Sequence, residues 1–282
     1  MCLLGQSQAG GQVSDLRTML QLAQQADQVA RSLGDNRLLA RACLLLCWAY
    51  DATAEWERAR RLGQESVQRA RALGDDVLLG ESLAAYASAA RTDECWPLFA
   101  EAIACAERTG DLGTAATIHN NAGFIALVLG DIPAARAHLE AAIRAAEVLG
   151  FPHLYALANL AEVLRAEHDL EGARSGFEDV VRGSRRTGDK YGLSGAFLGL
   201  GCLAADLGDW HRAAVLYGAE HALMDQVGAP WDPFDARRRQ ESLDQARAAL
   251  GDQQLQRAYT RGKALSFDQA IDLAIGKSLP AT

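Results

Sequence analysis

The stretch TGDLGTAATIHNNAGFIALVLGDIPAARAHLEAAIRAAEVLG, Thr109 to Gly150, holds in complete form the pattern that organises the chain. Gly110-Asp111 opens it, Gly130-Asp131 divides it and Gly150 closes it. Glycine takes the left-handed backbone that ends one helix, and aspartate caps the exposed amides that begin the next. Each Gly-Asp pair is therefore a stop followed by a start, and the stretch reads as two antiparallel helices joined by a tight corner.

Outward from this unit the same mark recurs. The series is Leu33-Gly34-Asp35, Leu73-Gly74-Asp75, Thr109-Gly110-Asp111, Leu149-Gly150, Thr187-Gly188-Asp189 and Val227-Gly228, with successive glycines 40, 36, 40, 38 and 40 residues apart. A fixed period of this size is the signature of a helical repeat. Inner corners of the same chemistry lie at Gly130-Asp131, His168-Asp169 and Gly208-Asp209, with Asp51 to Glu55 serving in the first full unit.

Aligned on the long-spaced glycines, the second helices agree. Ala59, Cys95, Ala135, Ala173 and Ala213 occupy one position; Gly63, Phe99, Leu139, Phe177 and Tyr217 follow four residues later; then come Ser66, Ala102, Ala142, Val180 and Glu220. This i, i+4, i+7 spacing is one helix face on which small and bulky side chains alternate, so neighbouring helices can interlock. First helices carry small residues beside large ones, as at Leu46-Cys47, Ala122-Gly123, Leu160-Ala161 and Leu200-Gly201. The unit between Gly74 and Gly110 is short, and a turn missing near Val77 to Gly80 is the expected site of the deletion.

These positions resemble the tetratricopeptide repeat, over residues 35–228 and in five units. The fold this implies is all-α: a right-handed superhelical solenoid of antiparallel helix pairs with a 36 to 40 residue period. The expected organisation is a disordered segment 1–13, a solenoid 14–228 and C-terminal capping helices 229–282. Upstream, Ser14-Asp15 begins a helix running to Leu33 that reads as the second helix of a repeat lacking its first, as expected of a truncated frame or of a fragment of a longer ancestor. Downstream, Asp232-Pro233 caps and opens a helix closed by Gly251, a short helix follows to Gly262, and Ser266 with Gln269 forms a capping box for a last one ending at Gly276.

Composition fits this class. The 282 residues are 49% hydrophobic, with few aromatics and only 6 prolines, enough apolar material to bury a core. A formal charge of −8 gives no whole-chain support for binding a phosphate backbone, so no direct nucleic-acid partner is expected. The basic clusters at Arg58 to Arg61, Arg185-Arg186 and Arg237-Arg238-Arg239 read as solvated faces. The longest apolar run, Ala42 to Tyr50, is far short of a membrane span. Six cysteines without a secretory framework point to the cytoplasm.

Catalytic motifs are weak. Gly276-Lys277-Ser278 has the tail of a P-loop, but Ile271 stands where its first glycine belongs; Gly199 to Ala204 spells GxGxxA inside a helix. Cys43 and Cys47 are one turn apart without a second ligand pair for zinc. The six histidines form no HExxH, so no catalytic residue, cofactor or metal is expected.

A second resemblance lies in the last 80 or so residues, in Gly208-Asp209, Ala213-Ala214, Leu216 to Ala219, Val227 to Pro230, Ala249 to Gly251 and Arg261 to Ser266 with Ala270-Ile271. This run is similar to the helical-repeat sensor region of bacterial LuxR-type and maltose-activator-like regulators built around a signal-transduction ATPase. Such a resemblance implies a receiving module that binds an inducer or partner, here without the ATPase or the helix-turn-helix.

In tetratricopeptide solenoids the first helices line a concave groove. The resemblance places Arg41, Trp48, Asp51, Asn120, Phe124, Leu127, Tyr155, Glu162, Arg165 and Cys202 on it, a mixed set suited to a protein or peptide partner or a small effector. Asn120 is the favoured contact, to a ligand's backbone. The alternative is a structural or oligomerising scaffold, a relic of a larger regulator, self-associating through Met19, Ala23 and Ala26.

Overall fold

In the computed structural model, residues 16–228 and 230–276 are described, and among them every regular element is an α-helix. The expected segment 1–13 and the Ser14-Asp15 start lie outside the described residues. The chain divides into two compact units, with the boundary between Asn159 and Leu160.

The first unit comprises α1 (Leu16–Leu33), α2 (Asn36–Ala52), α3 (Trp56–Leu73), α4 (Asp76–Ala90), α5 (Cys95–Thr109), α6 (Leu112–Leu129), α7 (Ile132–Val148) and the start of α8 (Leu154–Ala166). It is a stack of hairpins. Helices α2 and α3, α4 and α5, and α6 and α7 pair, while α4 also packs on α2 and α6 on α4. The second unit holds the rest of α8, then α9 (Leu170–Thr187), α10 (Lys190–Asp206), α11 (Trp210–Val227), α12 (Pro233–Leu250), α13 (Asp252–Lys263) and α14 (Phe267–Ala274). Here α10 packs on α9 and α11, and α11 is covered mainly by α13.

The punctuation works as the spacing predicts. Gly34, Gly74, Gly110, Gly150, Gly188 and Gly228 all have φ between 64 and 78°, the left-handed region that ends a helix. Asp35, Asp75, Asp111, Asp131, Asp169, Asp189 and Asp209 each accept a bond from a backbone N–H in the first turn that follows. Where glycine is missing at an inner corner, Ala54, Arg91 and His168 take the positive φ instead. At α8 the cap is an imidazole: His153 Nδ1 accepts from the Ala156 amide.

The expected second-helix face is buried at every position, from Ala59 through Phe99, Leu139, Phe177 and Tyr217 to Glu220. Ser66 shows what that face does. Its hydroxyl donates to the Ala40 carbonyl at 2.8 Å on the first helix of its own hairpin and lies 2.7 Å from Ser82 Oγ on the first helix of the next. One face thus joins two hairpins.

The short unit departs from expectation. Helix α4 starts in full at Asp76, capped by Asp75, with Leu78 and Leu79 buried; the missing residues are at the corner Arg91 to Glu94, where α4 ends early and α5 starts late. The helix start is held by a cap and a core, whereas a solvated corner loses little when trimmed. At the other end the capping box at Ser266 and Gln269 is present in both directions.

One described helix, α6, is long and apolar enough to cross a membrane by length and composition. It is packed between α7, α5 and α4, as a core helix of a repeat stack is.

Candidate functional site

Asparagine amides mark the first unit. Asn159 on α8 donates through Nδ2 to Asn120 Oδ1 on α6 at 3.2 Å, and Asn120 Nδ2 donates to Asn121 Oδ1 at 3.2 Å. Asn120 and Asn159 are 39 residues apart, one repeat, so equivalent helices carry the same group to the same place. Both are half-buried. Asn121 Nδ2 is buried with no acceptor among the described residues, as are the indole N–H groups of Trp48 and Trp56. An orphaned buried donor is costly, so three in one unit are a notable accumulation.

Near the corners of the same hairpins, the Arg91 guanidinium lies 5.1 Å from the Trp56 ring centroid and 5.9 Å from that of Phe124, and 3.8 Å from Asp51. This is a cation held between two aromatic faces beside a carboxylate. Of the groove residues expected in this unit, Asp51, Phe124 and Asn120 take part in these clusters; Trp48 and Tyr155 are half-buried; Arg41 is exposed. Leu127 corrects the expectation: it is 6% exposed and belongs to the core. Apolar side chains on a first helix divide between groove and hairpin interior according to the turn of the helix, and Leu127 faces inward.

His119 and His138 bring their Nδ1 atoms to 3.0 Å, and Trp96 stacks on His138. Burial pushes His119 down to about 4 and lowers His138 too, so the pair is neutral near pH 7. Two imidazoles make an incomplete ligand set, and no group of three or more metal-ligating side chains occurs among the described residues. Burial pushes the Cys43 thiol up to about 12, and Cys47 upward as well, so neither is a ready nucleophile.

In the second unit, Glu162 on α8 is buried. Its carboxylate accepts from Arg165 Nε at 3.0 Å and pairs with Arg238 from α12. Arg165 extends on to Asp206 of α10 at 2.7 Å. Burial alone would push the Glu162 carboxyl up, but Arg238 and Arg165 outweigh it and hold the group below the ordinary range. Glu162, 6% exposed, and Cys202, 4% exposed, are further corrections to the expected groove set; Cys202 is packed in the core with its sulfur 3.5 Å from the Tyr217 hydroxyl.

Sequence reading missed Asn159, Trp56, Arg91 and the inward-facing Arg238 and Arg239. Only Asn159 carried a signal, its one-repeat distance from Asn120. Arg238 and Arg239 also overturn the reading of residues 237–239 as a solvated cluster, since their side chains are 13% and 12% exposed.

No family model matches the chain, and no curated protein does. Among solved structures it is similar to BtubC (BKLC) from P. vanneervenii, at 20% identity and a TM-score of 0.53, with 84% of this chain and 92% of that one covered. At that identity the likeness is one of helical-repeat fold.

Proposed function

We propose that this chain is a non-catalytic binding module, regulatory in role, that holds a protein or peptide segment at the paired amides of Asn120 and Asn159. The observation that carries the reading is the repeat-spaced amide pair itself. A primary amide offers one acceptor and two donors, the complement of a peptide bond, and the two amides stand side by side, 3.2 Å apart, on equivalent helices. The tail's similarity to sensor regions of bacterial regulators makes a role in signal reception the natural setting, with a small effector as the other ligand class.

The experiment is affinity capture with the full chain against its Asn120→Ala/Asn159→Ala variant. A partner retained by the parent should be weakened roughly 5- to 100-fold by loss of two side-chain hydrogen bonds, in a protein that stays folded with only a modestly lowered melting temperature. Equal retention by both proteins, or no partner for the parent, defeats the reading.

A second reading, self-association, is favoured by α1. Leu22, Val29 and Leu33 are 59%, 56% and 65% exposed and share one stripe with Ala26. The equivalents of Leu22 and Ala26 in α3, Leu62 and Ser66, are buried. The stripe is flanked by the uncharged Gln21, Gln25 and Gln28, so two copies of an acidic chain could meet here without repulsion. Ala23, expected at this contact, is instead buried within the unit, while the Met19 side chain lies outside the described residues. Sedimentation equilibrium should show a dimer that Leu22→Glu/Val29→Glu converts to monomer; a parent monomeric at every concentration rejects this reading.

A further inference from the structure

Within the second unit, α12 and α13 are attached in different ways. Helix α13 lies backbone to backbone on α11: a methyl on Gly262 would come 1.9 Å from the Val215 carbonyl oxygen, and one on Gly218 would come 2.0 Å from that of Tyr259. Helix α12 has little apolar grip. Of its 18 residues only Ser242 and Ala246 are buried, with the half-buried Leu243 as the main apolar contact beside them.

Charge and polar bonds supply the rest. Arg238 is the centre: its guanidinium lies 5.1 Å from the Phe234 ring centroid, bonds Asp235 at 3.0 Å and enters an ion pair with Glu162. Glu162 lies on α8, whereas the neighbours of α12 in the stack are α10, α11 and α13. Arg238 therefore reaches past its adjacent first helix to an earlier one. The result is a row of alternating charges, Asp235, Arg238, Glu162, Arg165 and Asp206, in which the Glu162 side chain is 7% exposed and its Oε1 has no hydrogen-bond donor among the described residues. Beside it, Arg239 bonds Glu220 at 2.9 Å, and Tyr217 donates to Ser242 at 2.6 Å.

A buried ion pair adds little net stability compared with apolar packing, because desolvation offsets most of the attraction, yet it discriminates strongly against anything that leaves one charge unpaired. A helix held in this way detaches at lower cost than one packed through glycines, and whatever takes its place must bring a guanidinium for Glu162. Arginine suits the site because its planar fork can bond two carboxylates at once while stacking on a ring.

We infer that Glu162 and its charged neighbours form a recognition socket for an arginine carried on a helical segment of a partner protein, and that α12 fills this socket in cis, so partner binding and α12 docking compete. The inference rests on the reading of the chain as a binding module, but its site is distinct from the Asn120 and Asn159 amides.

The test uses a synthetic peptide, Pro230 to Leu243, added in trans to the full chain, with binding read by fluorescence anisotropy and α12 docking by hydrogen exchange. Arg238→Ala in the chain should speed exchange in α12 while α10, α11 and α13 stay protected, and the peptide should bind this variant about tenfold or more tighter than the parent, since the competing segment is gone. Adding Glu162→Gln to that variant, or carrying Arg238→Ala in the peptide, should abolish binding. Protection of α12 unchanged by Arg238→Ala overturns the inference. Loss of protection throughout the unit does so too, since α12 would then be part of the fold, as does peptide binding indifferent to Glu162. None of these results alters the outcome expected at Asn120 and Asn159.

Discussion

Replacing Gly262 with alanine is expected to lift α13 from α11 and to destabilise the protein by about 3 kcal/mol, roughly a 10 °C fall in melting temperature. The reason is the nature of the neighbour. The added methyl would lie 1.9 Å from the Val215 carbonyl oxygen and 2.7 Å from its carbon, atoms of a helix backbone that cannot rotate aside as a side chain can. The helices must separate, and Leu255 and Ala258, both buried, lose their contacts. Gly195→Ala is the matched comparison: a methyl there meets nothing within 4 Å, and the position is helical, so it should stabilise by about 0.5 to 1 kcal/mol. Differential scanning calorimetry on the two variants decides the matter. A Gly262→Ala protein that melts with the parent would show that the close approach of α11 and α13 is not needed.

The second large effect belongs to Phe177. Its ring is 1% exposed and lies against Gly199, where a methyl would be 2.3 Å from the ring carbons. Phe177→Ala leaves a cavity inside the α9–α10 contact and should cost about 3 to 5 kcal/mol. Gly199→Ala alone should cost about 1 to 3 kcal/mol through overpacking. In the double variant the new methyl occupies part of the space the ring has left. The two costs should then fall short of additivity by about 0.5 kcal/mol or more in urea denaturation, as expected of residues in contact. Strict additivity would refute the proposed interlock of large second-helix and small first-helix side chains.

That interlock was legible before any coordinates. Gly199 and Gly201 on α10 face Phe177 and Tyr217, and Gly123 on α6 faces Leu139, as the alternation of small and bulky positions requires. Asn120 was legible too, through its place on a first helix. Its partner Asn159 was visible only as a repeat distance, and nothing local told Leu127 and Cys202 apart from residues facing the groove. Their burial depends on how far each helix is rotated against its neighbours, and that rotation is a property of the packed stack.

The sequence by itself determined the helices, their ends and their pairing. A left-handed glycine and a capping aspartate act on the amides and carbonyls of their own few neighbours, and a repeat period shows where each hairpin begins. Tertiary structure alone decided that Arg238 and Arg239 turn inward. The carboxylates that draw them in stand on other helices, Glu162 on α8 and Glu220 on α11, and an arginine's direction follows from the charge it finds in space.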